Sequence, residues 1–201
     1  MKKYASLDLL EQLQADTRQL ILDANYLKTT DPGMLLQEPA VGKWSIIQIL
    51  EHLNSYGNYY LLAIEKSLEQ NKPAIDLFKP GWLGNYFTKL MKPGENGTIA
   101  HKMQSPKDHR PQRHPDAFPV LNTFLEQQHY LLELLELARS KNIGGIRTPI
   151  SISRFIKLKV GDVFRFLIAH EQRHFVQIEN TLAALKGITG KYPIIHLATQ
   201  Q

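Results

Sequence analysis

The chain has 201 residues, with 24 Lys and Arg against 19 Asp and Glu, a net charge of +5, and no cysteine. That length buries enough surface without disulfides or a structural metal, so residues 1–201 read as a single domain. The missing thiols exclude a disulfide framework, a thiolate zinc site and a cysteine nucleophile, so any metal must be held by imidazole and oxygen.

At the N-terminus two lysines precede no apolar core, because Asp8, Glu11 and Gln12 interrupt it. No later run approaches the ~20 apolar residues that span a bilayer, and a soluble cytoplasmic protein without a membrane partner is expected. The first helical pattern runs from about Ser6 to Lys28, with Leu7, Leu10, Leu13, Leu20, Ile21, Ala24 and Leu27 on one side. It stops before Asp31-Pro32-Gly33, a turn signal. The second has the clearest start in the chain. Ser45 followed by Gln48 spells a capping box, and Trp44 is placed to staple against Ile49. Ile46, Ile49, Leu53, Tyr56, Tyr60, Ile64 and Leu68 then repeat at helical spacing until Asn71-Lys72-Pro73.

A long connection follows, with a short helix expected around Trp82 to Met91. Between Lys72 and Asp116 eight Lys and Arg face four acids, which accounts for most of the net charge. Pro and Gly break up this stretch, so it reads as a solvated loop or a lid rather than a phosphate-tracking face, and no nucleic-acid partner is expected. The third long pattern runs from about Asp116 to Ser140, carrying Phe118, Leu121, Phe124, Leu125, Leu131, Leu132 and Leu135. Ile150-Ser151-Ile152-Ser153 is too short to read as a strand. The fourth pattern starts near Gly161-Asp162 and ends at Leu185, with Gly187 as its stop. The sum is an all-α, antiparallel four-helix bundle with one long loop between its second and third helices.

His170-Glu171-Gln172-Arg173-His174 carries the chemistry. Two histidines four residues apart stand on one helix face, and steps from Val163 through Leu167 to Ile178, Thr181 and Leu185 place that face inward. On the second helix His52 lies beside the apolar stripe, between Ile49 and Tyr56. A single inward histidine is more often a satisfied core residue than a ligand. Three are costly to bury unless something takes their lone pairs, and one divalent ion takes all of them.

The same five letters spell the H-E-x-x-H of zinc peptidases, with Glu171 as general base. Those enzymes need a third ligand downstream, but positions 177 and 180 are Gln and Asn, and Glu179 is turned away on the same helix. His196 is the sole distant candidate. The run is therefore read as two-thirds of a site completed by His52, and Glu171 becomes a weak catalytic candidate on the helix flank. Gln48, one turn before His52, is a second weak candidate, although capping explains it equally well. Asn54, Ser55, Tyr56 and Tyr59 could orient a substrate, and Gln177 could orient His174. His129 reads as a boundary histidine, and His101, His109 and His114 as solvated loop histidines.

The run Trp44 to Leu53, together with Gly161-Asp162 and the late His-x-x-x-His-x-x-Gln, resembles the DinB/YfiT-like superfamily over nearly the whole chain. The resemblance implies a four-helix bundle, often a homodimer, with a trihistidine site for nickel or zinc at His52, His170 and His174. It implies one of two activities: a metal-dependent S-transferase or isomerase using a low-molecular-weight thiol, or a hydrolase acting on a small molecule. A three-imidazole ion that acidifies a thiol or a water accounts for either. With no cysteine in the chain, a thiol must arrive as cosubstrate. The alternative from another class is a non-catalytic metal-binding stress-response or interaction module.

Overall fold

The computed structural model describes residues 2–94, 98–99 and 103–187. Four long helices form the body: α1 (Ser6–Leu27), α3 (Ile46–Leu68), α5 (Ala117–Ala138) and α6 (Val160–Leu185). Two short ones, α2 (Pro32–Leu36) and α4 (Trp82–Met91), lie in the connections. Each long helix ends within three residues of the place its sequence pattern marks. The capping box on α3 is formed in full: Gln48 N donates to Ser45 Oγ at 3.2 Å, and Ser45 N donates to Gln48 Oε1 at 2.9 Å.

The helices pack in the ring order α1–α5–α3–α6, and side-chain pairs give their directions. Glu11 meets Arg139 and Gln14 meets Glu136, so α1 and α5 run oppositely. Asn54 Nδ2 donates to Val120 O and Gln127 Nε2 to Asn58 Oδ1, so α3 and α5 run the same way. Tyr60 packs on Phe166 and His52 on His174, which opposes α3 to α6. The bundle is thus two helices up and two down, with the parallel neighbours α3 and α5 joined by residues 69–116. A 23-residue helix is about 34 Å long, so a return to its starting end demands a connection of this size.

The interior is a continuous apolar core drawn from all four long helices, with Leu10, Ala24, Ile49, Ile64, Phe124, Leu135, Val163 and Leu182 nearly inaccessible to solvent. Leu7 and Phe118, assigned to the apolar stripes, are 46% and 58% exposed; both lie in the first turn of their helices.

Two local expectations are corrected. Asp31-Pro32-Gly33 is a helix start as well as a turn. Asp31 Oδ1 accepts from Met34 N at 3.0 Å and Pro32 opens α2, where its missing N–H costs nothing. Ile150 and Ser153 belong to strands. β3 (Arg147–Ile150) pairs antiparallel with β4 (Ser153–Lys159), with Ser151 and Ile152 at the turn. Buried Thr148, Ile150 and Leu158 face the helices, but Pro149 and the consecutive, exposed Phe155 and Ile156 break the alternation a strand shows in sequence. A second small pair, Tyr4–Ala5 (β1) with Leu77–Phe78 (β2), ties the N-terminal segment to the long connection.

α4 is locked to α6 through the fully buried Asp162. Its Oδ2 accepts from Gly81 N at 2.7 Å and its Oδ1 from Arg165 Nη1 at 3.1 Å. The fit leaves no room at Gly84, where an added Cβ would lie 2.4 Å from both Cβ and Cγ of Asp162. Gly84→Ala should gain about 1 kcal/mol of helix propensity and lose about 1–3 kcal/mol to overpacking. Chemical denaturation should show a net loss; a more stable variant would mean that this contact is not close-packed.

Candidate metal centre

α3 delivers His52 and α6 delivers His170 and His174 to one point inside the bundle, where their ring nitrogens lie within 4.8 Å of one another. His52 and His170 are buried and His174 is partly so. The partners of the other ring nitrogens fix which nitrogen faces the centre. His52 Nδ1 lies 2.6 Å from the carbonyl oxygen of His109; a carbonyl only accepts, so Nδ1 carries the proton and Nε2 the inward lone pair. His174 Nδ1 donates to Gln177 Oε1 at 2.9 Å, again leaving Nε2 bare.

His170 completes the argument. Its Nε2 is 3.0 Å from His174 Nε2, while its buried Nδ1 has no hydrogen-bond partner. Either tautomer leaves one buried nitrogen unsatisfied: a proton on Nδ1 has no acceptor and sets two lone pairs face to face, and a proton on Nε2 orphans the Nδ1 lone pair. A cation between the two Nε2 atoms resolves the repulsion. The 3.0 Å spacing is near the ~3.3 Å that two nitrogens on a tetrahedral zinc would show. The residues present therefore fit a divalent ion.

Burial makes all three rings hard to charge. It pushes His52 down to about 4 despite its bond to His109, and His174 down to about 3, with the neighbouring His52 adding to the effect. His170 is held well below the usual imidazole range by burial and then by His174 and His52. Above pH 6.5 the folded and unfolded imidazoles are alike neutral. As pH falls from 6.5 towards about 4 only the unfolded chain takes up protons, so the metal-free fold loses stability from these groups in that window.

The basic connection, expected as a solvated loop, supplies much of the support. His109 sits in a 3-10 turn (Lys107–His109) and is only 8% exposed. Its ring stacks on Tyr56 at 3.9 Å between centroids. The single proton of Ser55 Oγ goes to His52 O, so Oγ accepts from His109 Nδ1 at 2.9 Å. Gln48 Nε2 donates to the carbonyls of Gln112 and Arg113, and Glu51 Oε2 accepts from Gln112 N. One face of α3 thus grips the loop at every turn around His52. No sequence signal marks a partner 57 residues away, which is why His109 was missed.

The remaining candidates fall elsewhere. Gln48 is committed to its cap and to the loop. Glu171 turns to α5, accepting from Gln128 Nε2 at 3.0 Å, and burial pushes its carboxyl up to about 8. Asn54 reaches Val120 O, and Tyr59 donates to Ile150 O. His114 and His129 are exposed. His101 and His196 lie outside the described residues.

The trihistidine face opens on a chamber of about 940 Å³. Lys43, Arg110 and Arg173 line it, and no Asp or Glu is found among its described lining residues. Trp44, Tyr56, Met91 and Met103 supply its apolar surface.

The model of the DinB superfamily matches residues 9–178. No curated protein matches the chain. Among solved structures, YfiT from Bacillus subtilis, described as a probable metal-dependent hydrolase with an unusual four-helix bundle topology, superposes with a TM-score of 0.53. The alignment covers 92% of this chain and 89% of that one at 14% identity, a likeness of fold.

Because the folded imidazoles are already neutral, zinc uptake at pH 6 should release almost no protons. Three ordinary imidazoles would release about two. Calorimetric titration in buffers of differing ionisation enthalpy measures this directly; release of two protons would mean that the rings are not desolvated.

Proposed function

The chain belongs to the DinB superfamily, and from that premise we propose that it is a metal-dependent enzyme whose open trihistidine site activates an anionic low-molecular-weight thiol for transfer to an electrophile. The observation that carries this reading is a coordinating face of three neutral imidazoles on a cationic chamber without a carboxylate among its described lining residues. His52, His170 and His174 would hold the ion, and a divalent transition metal there, nickel or zinc, lowers the pKa of the thiol or water that takes its open position.

The rest follows from the chain itself. Lys43, Arg110 and Arg173 favour a negatively charged cosubstrate and the anionic form of its nucleophile. Arg173, only 7% exposed and one residue before His174, acts at short range and weak screening. Burial raises the Tyr56 phenol to about 12, so at neutral pH it can donate a hydrogen bond but does not serve as a base. A thiol, with an ordinary pKa of about 8.5, needs less help to ionise than water does, which favours transfer over hydrolysis in a chamber with no carboxylate among its described lining residues. The second reading, a hydrolase, keeps the same ion and replaces the thiol with water.

Purified protein reconstituted with zinc or nickel should hold one equivalent, and His52→Ala should lose both the metal and at least about 100-fold in turnover of an anionic thiol with an electrophile. Turnover that needs no thiol would establish the hydrolase instead, and stoichiometric metal without any turnover would leave a binding module. A wild type that takes up no metal would end the enzyme reading. Arg110→Ala, at an exposed position, should raise KM for the thiol by about two- to fivefold with little change in kcat, and less so in high salt.

A further inference from the structure

A second cavity of about 170 Å³ opens off the chamber. The two share Tyr56, Met91, Met103, Gln104 and Pro106, so they are two compartments of one site. Their chemistry differs sharply. The recess is walled by Tyr60, Phe87, Leu90, Ile152, Leu158 and Phe166, with no charged side chain among its described lining residues. Tyr60 Oη accepts from Ser151 N at 3.2 Å and lies 3.4 Å from Ser151 Oγ, so these polar groups bind each other. The other polar side chains of the described wall, Tyr56 and Gln104, are ones the recess shares with the chamber.

Native cores are packed to near crystal density, so an apolar space of this size beside a reactive centre needs an occupant. An apolar cavity of about 150 Å³ holds one benzene ring. The recess also stands at a defined distance from the chemistry. The Phe166 ring lies parallel to the His170 ring, 6.0 Å away and tilted by 4°, and meets Tyr60 and Phe87 edge-on. An occupant lying along Phe166 is therefore about one ring's length from the imidazole cluster.

We propose that this recess is the subsite for the electrophilic substrate, and that it takes a compact apolar group, one aromatic ring or an alkyl chain of about six carbons, joined to the reacting atom by a short link. The anionic cosubstrate occupies the cationic chamber and the apolar group the recess, so each partner reaches the centre from its own side. The assignment of reacting partners rests on the transferase reading, whereas the preference of the recess for an apolar group rests on its wall alone. It also gives a function to the β3–β4 hairpin, whose Ile150, Ile152 and Leu158 line the recess.

The test uses a homologous series of n-alkanols, from propanol to octanol, titrated calorimetrically into the full-length protein with and without zinc. Affinity should rise about fourfold per methylene up to about six carbons and then level, alike in both forms. Ile152→Trp, at a turn position that is 65% exposed, and Leu90→Trp on the opposite wall should each weaken hexanol binding at least tenfold while zinc stoichiometry stays at the wild-type value. Affinity that ignores chain length, or that survives both variants, would overturn the subsite. Chain-length-dependent binding by a protein that takes up no zinc would leave the subsite standing and remove the metal-enzyme reading. Zinc uptake and thiol turnover without chain-length dependence would do the reverse.

Discussion

Three neutral imidazoles with converging lone pairs, two buried and one partly so, are the constraint on which the rest of this molecule turns. A proton forced onto His52 or His174 costs several kcal/mol, because burial has lowered their affinity for it to values near 4 and 3. Internal hydrogen bonds relieve this only at the outer nitrogens. The fold satisfies that of His52 with a backbone carbonyl and that of His174 with an amide, and leaves the Nε2 atoms of His170 and His174 facing one another at 3.0 Å. Such an arrangement is poorly satisfied without a cation and well satisfied with one.

The topology provides the means. Placing α3 and α5 side by side and parallel obliges the chain to travel back along the bundle, and that return path carries α4 and the loop around His109. The loop covers α3 around His52, while α4 and the β3–β4 hairpin wall the apolar side. The described parts of the long connection are thus structural support and chamber wall in one segment. Its surplus of Lys and Arg leaves Arg110 lining the chamber, where Lys43 and Arg173 extend the same positive field.

The parts of this arrangement that sequence revealed are those governed by short-range rules. Helical periodicity marked the four long helices and even α4, the Ser45–Gln48 box marked the start of α3, and the four-residue spacing of His170 and His174 put both on one inward face. Gln177 was within reach of the same reasoning, being three residues beyond His174. The parts that stayed hidden depend on contacts across 43 and 57 residues. His109 reads as a solvated loop residue until α3 is seen to grip its backbone, and Glu171 reads as a weak catalytic candidate on the helix flank until Gln128 of α5 is seen to hold it. The hairpin was obscured locally, by a proline and by Phe155 and Ile156, two apolar residues in a row that both face solvent.

The central claim is an open three-imidazole centre, and X-ray absorption spectroscopy of the zinc-loaded protein tests it most directly. The account predicts three imidazole nitrogens at about 2.0–2.1 Å and one exchangeable light-atom ligand that is replaced by sulfur when a small thiol is added. A shell of four protein ligands that ignores added thiol, or one with fewer than three imidazoles, would contradict it.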